Sequence, residues 1–171
     1  MKNKITKGIA LTLFAILMMA CQPKKEEAAP ETAAVDTEKI KAEIQAMEDA
    51  FAVGLNTGTT DDIVYYAEDA VSYGQNEPPL VGKAAIHDKL RKEAGDGNAK
   101  KMKVAFVTNE VHASSDGEQL VELGSYKAAD STGTVLHSGN YMALFKKVDG
   151  KYVCTRDMGA SDQPKKEESK E

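Results

Sequence analysis

The C-terminal half of the chain carries four strand-like runs, "MKVAFVTNEVHA", "EQLVELGSYKAA", "TVLHSGNYMALFKKV" and "KYVCTRDM", joined only by "SSDG", "DSTG" and "DG". Links this short connect antiparallel neighbours, because a parallel return needs a crossover of a dozen or more residues. Ahead of them the period is helical. Ile40, Ile44, Met47, Phe51 and Leu55 fall on one face, with Asp36 or Thr37 to cap the start, Glu38 in the first turn and Asn56 to Gly58 as a stop. A second, shorter helix is expected from Thr60 through Ile63, Val64, Tyr65, Tyr66 and Ala67, and "AVSYG" reads as a short strand. A third helix is expected from Lys83 to about Glu93, ended by "AGDGNAK". Helices first and strands after define an α+β domain, with three N-terminal helices packed on a curved antiparallel sheet.

The N-terminus has a different grammar. Lys2, Lys4 and Lys7 precede an apolar run that ends at Ala20 and Cys21, the order of a secretory signal. The run is about a dozen residues, against the roughly 20 that cross a bilayer as a helix. A cysteine after the cut resembles a bacterial lipobox, with Met18 where Leu is usual, so Cys21 is expected to be acylated and to become the first mature residue. Two or three acyl chains, at about 0.8 kcal/mol per buried methylene, give stable anchoring to the membrane. Gln22 in place of Asp favours the outer membrane of a Gram-negative envelope, with the periplasmic or surface face left open. The following "QPKKEEAAPETAA" has almost no large apolar side chain and reads as a tether. The segments are then 1–20 signal peptide, 21–35 lipidated cysteine and tether, 36–160 folded domain, and 161–171 polar disordered tail.

A net charge of −5 argues against nucleic acid as a partner, and 42% hydrophobic residues support a real core. With Cys21 acylated, Cys154 has no disulfide partner and reads as a small buried hydrophobe. The three histidines are isolated, with no HExxH, HxH or CxxC spacing, no Gly-rich phosphate loop and no GxSxG, so neither metal nor cofactor is expected. His87 and His112 are expected at the surface. With period two, Glu122 and Tyr126 share a strand face, as do His137, Tyr141, Ala143 and Phe145 on the next strand. If that face is concave, the candidate catalytic set is His137 with Asp157 or Glu122, because imidazole titrates near neutrality and a carboxylate orients it. The competing reading makes His137 a rim residue and Glu122 half of a cross-strand pair. Phe51, Tyr65, Tyr73, Tyr126 and Tyr141 are the candidate ligand-binding residues. Both faces of "YMALF" are apolar, so something should cover each, with Met142 and Leu144 assigned to the outer one.

The order "AFAVGLNTGTTDDIVYYAEDAVSYG", "LVGKAAIHDKL", "GSYKAADSTGTVLHSGNYMALFKKVDGKYVCTRDM" resembles the SnoaL-like and ketosteroid-isomerase-like branch of the nuclear transport factor 2-like superfamily. Its most diagnostic pieces are "YAEDAVSY", "VGKAAI" and "GNYMALFKKVDGKY". The resemblance implies a cone-shaped fold, a pocket between helices and concave sheet, and a homodimer through the sheet. Ketosteroid isomerases use an Asp base with a Tyr and a protonated Asp that stabilise an enolate oxygen. Counted back from Gly58, the tyrosine position falls on Phe51, and counted on from Glu68, Asp69 and Ala70, the base position falls near Tyr73 or Gly74, so that chemistry is not expected. Polyketide-cyclase relatives use an Asp with a His nearby, which is the role Asp157 and His137 would take. A shared fold does not fix function. The expected function is non-catalytic binding of a small, largely apolar ligand by a membrane-anchored lipoprotein. The alternatives are a lyase, cyclase or isomerase using the His–carboxylate pair, and a dimeric assembly module without ligand.

Overall fold

The computed structural model describes residues 35–164. The signal segment, Cys21 and all of the tether before Val35 lie outside the described residues. Helix α1 spans Thr37–Thr57; Asp36 caps it by accepting the Lys39 N–H at 3.0 Å, and Gly58 ends it in the left-handed region at φ 80°. Strands β1 (Tyr66–Tyr73) and β2 (Leu80–Val81) follow, then α2 (Lys83–Ala99). The meander comes last, as β3 (Lys103–Ala113), β4 (Gln119–Ala129), β5 (Val135–Val148) and β6 (Lys151–Ser161). The six strands form one curved, unclosed sheet in the order β2-β1-β6-β5-β4-β3.

Four differences from the sequence expectation have physical reasons. The second helix is reduced to a single 3-10 turn over Thr60–Asp62, so the domain has two α-helices rather than three. The β-branched and aromatic run Ile63 to Tyr66 prefers extended backbone. That backbone is taken by β6: Cys154 N–H donates to Tyr65 O at 2.8 Å, and β1 joins β6 in parallel. Helix α2 continues through Gly95 and Gly97 to Ala99, held by buried Ala94, and closes where Met102 N–H reaches Gly97 O at 2.9 Å. His87 is buried on the α2 face that also carries Ile86, Leu90 and Ala94. Strand β6 runs into the expected tail, and Ser138 donates to Asp162 while Gln163 donates to Leu136 O, so order continues past residue 160.

The helices cover one face of the sheet. The wholly buried centre is Ile44, Ile86, Leu120, Phe145 and Cys154. Bulges between Thr108 and Glu110 on β3, and between Leu144 and Phe145 where β5 meets β6, bend the strands. On β5 the parity left open by sequence is settled. Ala143 and Phe145 face the core, whereas Met142 is exposed on the outer side, opposite Leu123 and Met158.

Candidate ligand cavity and its buried carboxyls

A cavity of about 440 Å³ lies between the helices and the concave sheet. Its wall is mostly aromatic and aliphatic, and the aromatic rings are locked together: Phe51 packs on Tyr65 at 4.8 Å and edge-on to Phe106 at 5.5 Å, and Phe106 meets Tyr141 at 5.8 Å. All five expected ligand-binding residues, Phe51, Tyr65, Tyr73, Tyr126 and Tyr141, line it. Asp157 lines it too, and Glu122 lies wholly buried on β4 beneath Tyr141.

His137 does not join them. Its register partner on β4 is Ala128, so it has the concave-face parity, but it is exposed and lies beyond the cavity lining. Periodicity assigned the face correctly, yet the strand extends past the helices that roof the cavity. The His–carboxylate pair is therefore not assembled here. His112 is exposed beside Glu110. Cys154 is wholly buried and its thiol is pushed well up, first by burial and then by the Asp157 charge, which leaves it an inert packing residue.

The polar centre contains a residue that sequence reading passed over. Glu48 stands on the buried face of α1, four residues after Ile44 and three before Phe51, and it is only 2% exposed. A carboxylate on the apolar stripe of a helix was the available signal. Tyr65 donates to Glu48 Oε1 at 2.5 Å. Thr108 and Tyr141 both donate to Glu122 Oε1, at 2.7 and 2.9 Å. Tyr66 donates to Asp157 Oδ2 at 2.6 Å.

Burial, and then the neighbouring Glu122 charge, push Glu48 up to about 8. Glu122 is also raised by burial, against the hydrogen bonds from Thr108, Tyr141 and Glu48 that favour its charged form. Glu48 therefore keeps its proton near neutrality, and Glu122 Oε2 is buried with no hydrogen-bond partner among the described residues. The tyrosines that donate to these acids are held neutral: Tyr65 and Tyr141 are raised, first by burial and then by the Glu48 charge. Among the described residues no three His, Cys, Asp or Glu side chains are grouped to hold a metal ion.

Gly124 on β4 makes this centre possible. A Cβ there would lie 2.1 Å from Cζ of Tyr141, so the ring occupies the space a side chain would need. Gly124→Ala is expected to drive Tyr141 off Glu122 and to cost about 1–3 kcal/mol, the usual range for overpacking. Urea denaturation checks this; an unchanged midpoint would show that the ring moves aside freely.

No family model matches the chain, and no curated protein matches it. Solved structures do. A cystatin-like-fold domain of unknown function from Nostoc punctiforme is 14% identical, with a TM-score of 0.62 over 75% of this chain and 80% of that one. An NTF2-like protein with a cystatin-like fold from Novosphingobium aromaticivorans is 13% identical, TM-score 0.61, over 75% and 86%. A ketosteroid isomerase-like protein from Erwinia carotovora atroseptica is 19% identical, TM-score 0.52, over 72% and 97%. At these identities the likeness concerns the fold, and the fold is the nuclear transport factor 2-like one expected from the sequence.

Proposed function

We propose that this domain binds a small, largely apolar molecule in the cavity between its helices and sheet, as a non-catalytic carrier or sensor tethered to the cell envelope through acylated Cys21. The observation that carries the reading is the cavity itself, about 440 Å³, aromatic-walled, with a few polar groups gathered at one place. Ligand sites typically occupy roughly 300–1,000 Å³ with this division of lining. The same open volume speaks against an assembly module whose cone is closed by its own side chains. Homodimerisation is part of the proposal; Met142, Met158 and Val107 are exposed on the outer face of the sheet and support it.

A second reading, an enzyme of lyase, cyclase or isomerase type, is favoured by one observation. Glu48 faces the cavity with its pKa near 8, where a carboxyl exchanges protons readily at neutral pH. In that reading Glu48, with Asp157, takes the place assigned to His137.

Native mass spectrometry of the full chain, beside a denatured control, tests the proposal. A reproducible small-molecule adduct that is lost on denaturation is the expected result. A protein with no adduct, and no thermal stabilisation across a broad apolar ligand screen, would overturn it. Turnover of a recovered ligand, abolished in Glu48→Gln, would move the assignment to the enzyme.

A further inference from the structure

We propose that the cavity takes an apolar organic cation, a protonated amine whose ammonium group seats at the Glu48 carboxyl, with the Asp157 carboxyl on the same cavity wall and Glu122 buried behind, while its hydrocarbon part lies on the aromatic residues. The inference rests on the reading of the cavity as a ligand site and adds the chemical class of the ligand.

The first support is the direction of the hydrogen bonds. The hydroxyls of Tyr65, Tyr66, Tyr141 and Thr108 are all spent as donors to carboxyl oxygens. At the acids themselves, what remains toward a ligand is acceptor capacity, which suits a donor-rich cationic group and repels a carboxylate or phosphate. The second support is the missing counter-charge. Among the described residues Lys89 is the one basic side chain lining the cavity, and it is engaged by Glu77 and, at 3.7 Å, by Glu93.

The third support is an orphan. Glu122 is wholly buried, and its Oε2 has no hydrogen-bond partner among the described residues. A buried acid left without a donor is an uncompensated acceptor behind the cavity wall, and it favours a cation over an anion beside it. Finally, Phe51, Tyr65, Phe106 and Tyr141 line the same cavity, and aromatic rings attract an organic cation. A bare metal ion would want three or more grouped ligands, and the described residues offer no such set.

Seating the ammonium expels the Glu48 proton to solvent, so binding is linked to pH. The groups that face Glu48 are Glu122 on β4, Tyr65 ahead of β1, Tyr66 on β1, Tyr141 on β5, and Cys154 and Asp157 on β6. From α2 the cavity receives Lys89 and Glu93, which neutralise each other. Of these, Glu48 is the group poised near 8. Apparent affinity for an amine should therefore rise about tenfold per pH unit below about 8 and level off above it.

The test compares three probes of one shape on the full chain by titration calorimetry: 2-(naphthalen-2-yl)ethylamine, 2-(naphthalen-2-yl)ethanol and 2-naphthaleneacetate. At about pH 8 the amine is expected to bind at least about tenfold more tightly than the alcohol, with the acetate weakest, because an uncompensated buried acid favours a cation by this order. Buffers of different ionisation enthalpy should report proton release with the amine alone. Glu48→Gln should bring the amine down to the affinity of the alcohol and abolish the pH slope. Asp157→Asn should reduce the same preference if the Gln variant does not fold. An alcohol that binds as well as the amine, or no proton release, overturns the inference and leaves the cavity reading intact. Failure of all three probes to bind, with the broad screen also empty, removes the cavity reading and the inference together.

Discussion

Glu48→Gln should stabilise the protein at about pH 9 by about 2–4 kcal/mol and change little at about pH 4. The folded protein holds the Glu48 proton up to about 8, whereas an unfolded chain releases it near 4.5. Below about 4.5 both states are protonated and the site costs nothing. Between 4.5 and 8 the unfolded state is favoured more with each unit of pH, and above 8 the loss is complete. Glutamine has the shape of protonated glutamate. Its carbonyl accepts from Tyr65 as Glu48 Oε1 does, and its N–H can reach the unpartnered Oε2 of Glu122. The raised pKa of Glu122 slopes stability in the same direction, so some pH dependence should survive in the variant. Asp116 and Asp130, lowered by hydroxyl and N–H bonds in their turns, act below the ordinary carboxylate range and leave this window untouched. Urea denaturation at several pH values measures the effect. Parallel stability curves for the two proteins, with the variant lower throughout, would show that no proton is held at this site.

What the sequence disclosed divides along physical lines. Turn chemistry is local, so "SSDG", "DSTG" and "DG" revealed the meander, and the four-three-four spacing from Ile40 to Leu55 revealed α1. The parallel seam between β1 and β6 is the opposite case. Its partners are distant in the chain, and Tyr65 and Tyr66 fit a helix or a strand until Cys154 supplies the pairing. Face assignment by period two also worked, since Glu122, Tyr126 and Tyr141 all point to the concave side. Period two carries no depth, however. His137 has the right parity and lies outside the cavity, whereas Asp157 has the right parity and lies in it. Glu48 was overlooked because a search for the apolar stripe counts apolar residues. The carboxylate interrupting that stripe was its most informative position.

Phe145→Ala is the substitution with the widest expected reach. Phe145 has no exposed surface and stands opposite Leu120 on β4 and Cys154 on β6. Its ring meets Tyr65 edge-on at 5.4 Å. Truncating a buried Phe costs about 3–5 kcal/mol, a large share of the roughly 5–15 kcal/mol that holds a domain folded. The void opens beside the tyrosine whose hydroxyl donates to Glu48, so the consequences extend to the acid centre. Burial is the largest cause of the raised Glu48 pKa. Water admitted beside Tyr65 weakens that cause and lowers the pKa toward its ordinary value. The variant should then lose less stability than the parent protein as pH rises from about 5 to about 8, which makes the measured cost larger at acid pH than at alkaline pH. Urea titrations of both proteins at the two pH values resolve the outcomes. A loss below about 1 kcal/mol would deny Phe145 its place in the core. A large loss that is equal at both pH values would confine its role to packing and separate it from the proton that Glu48 holds.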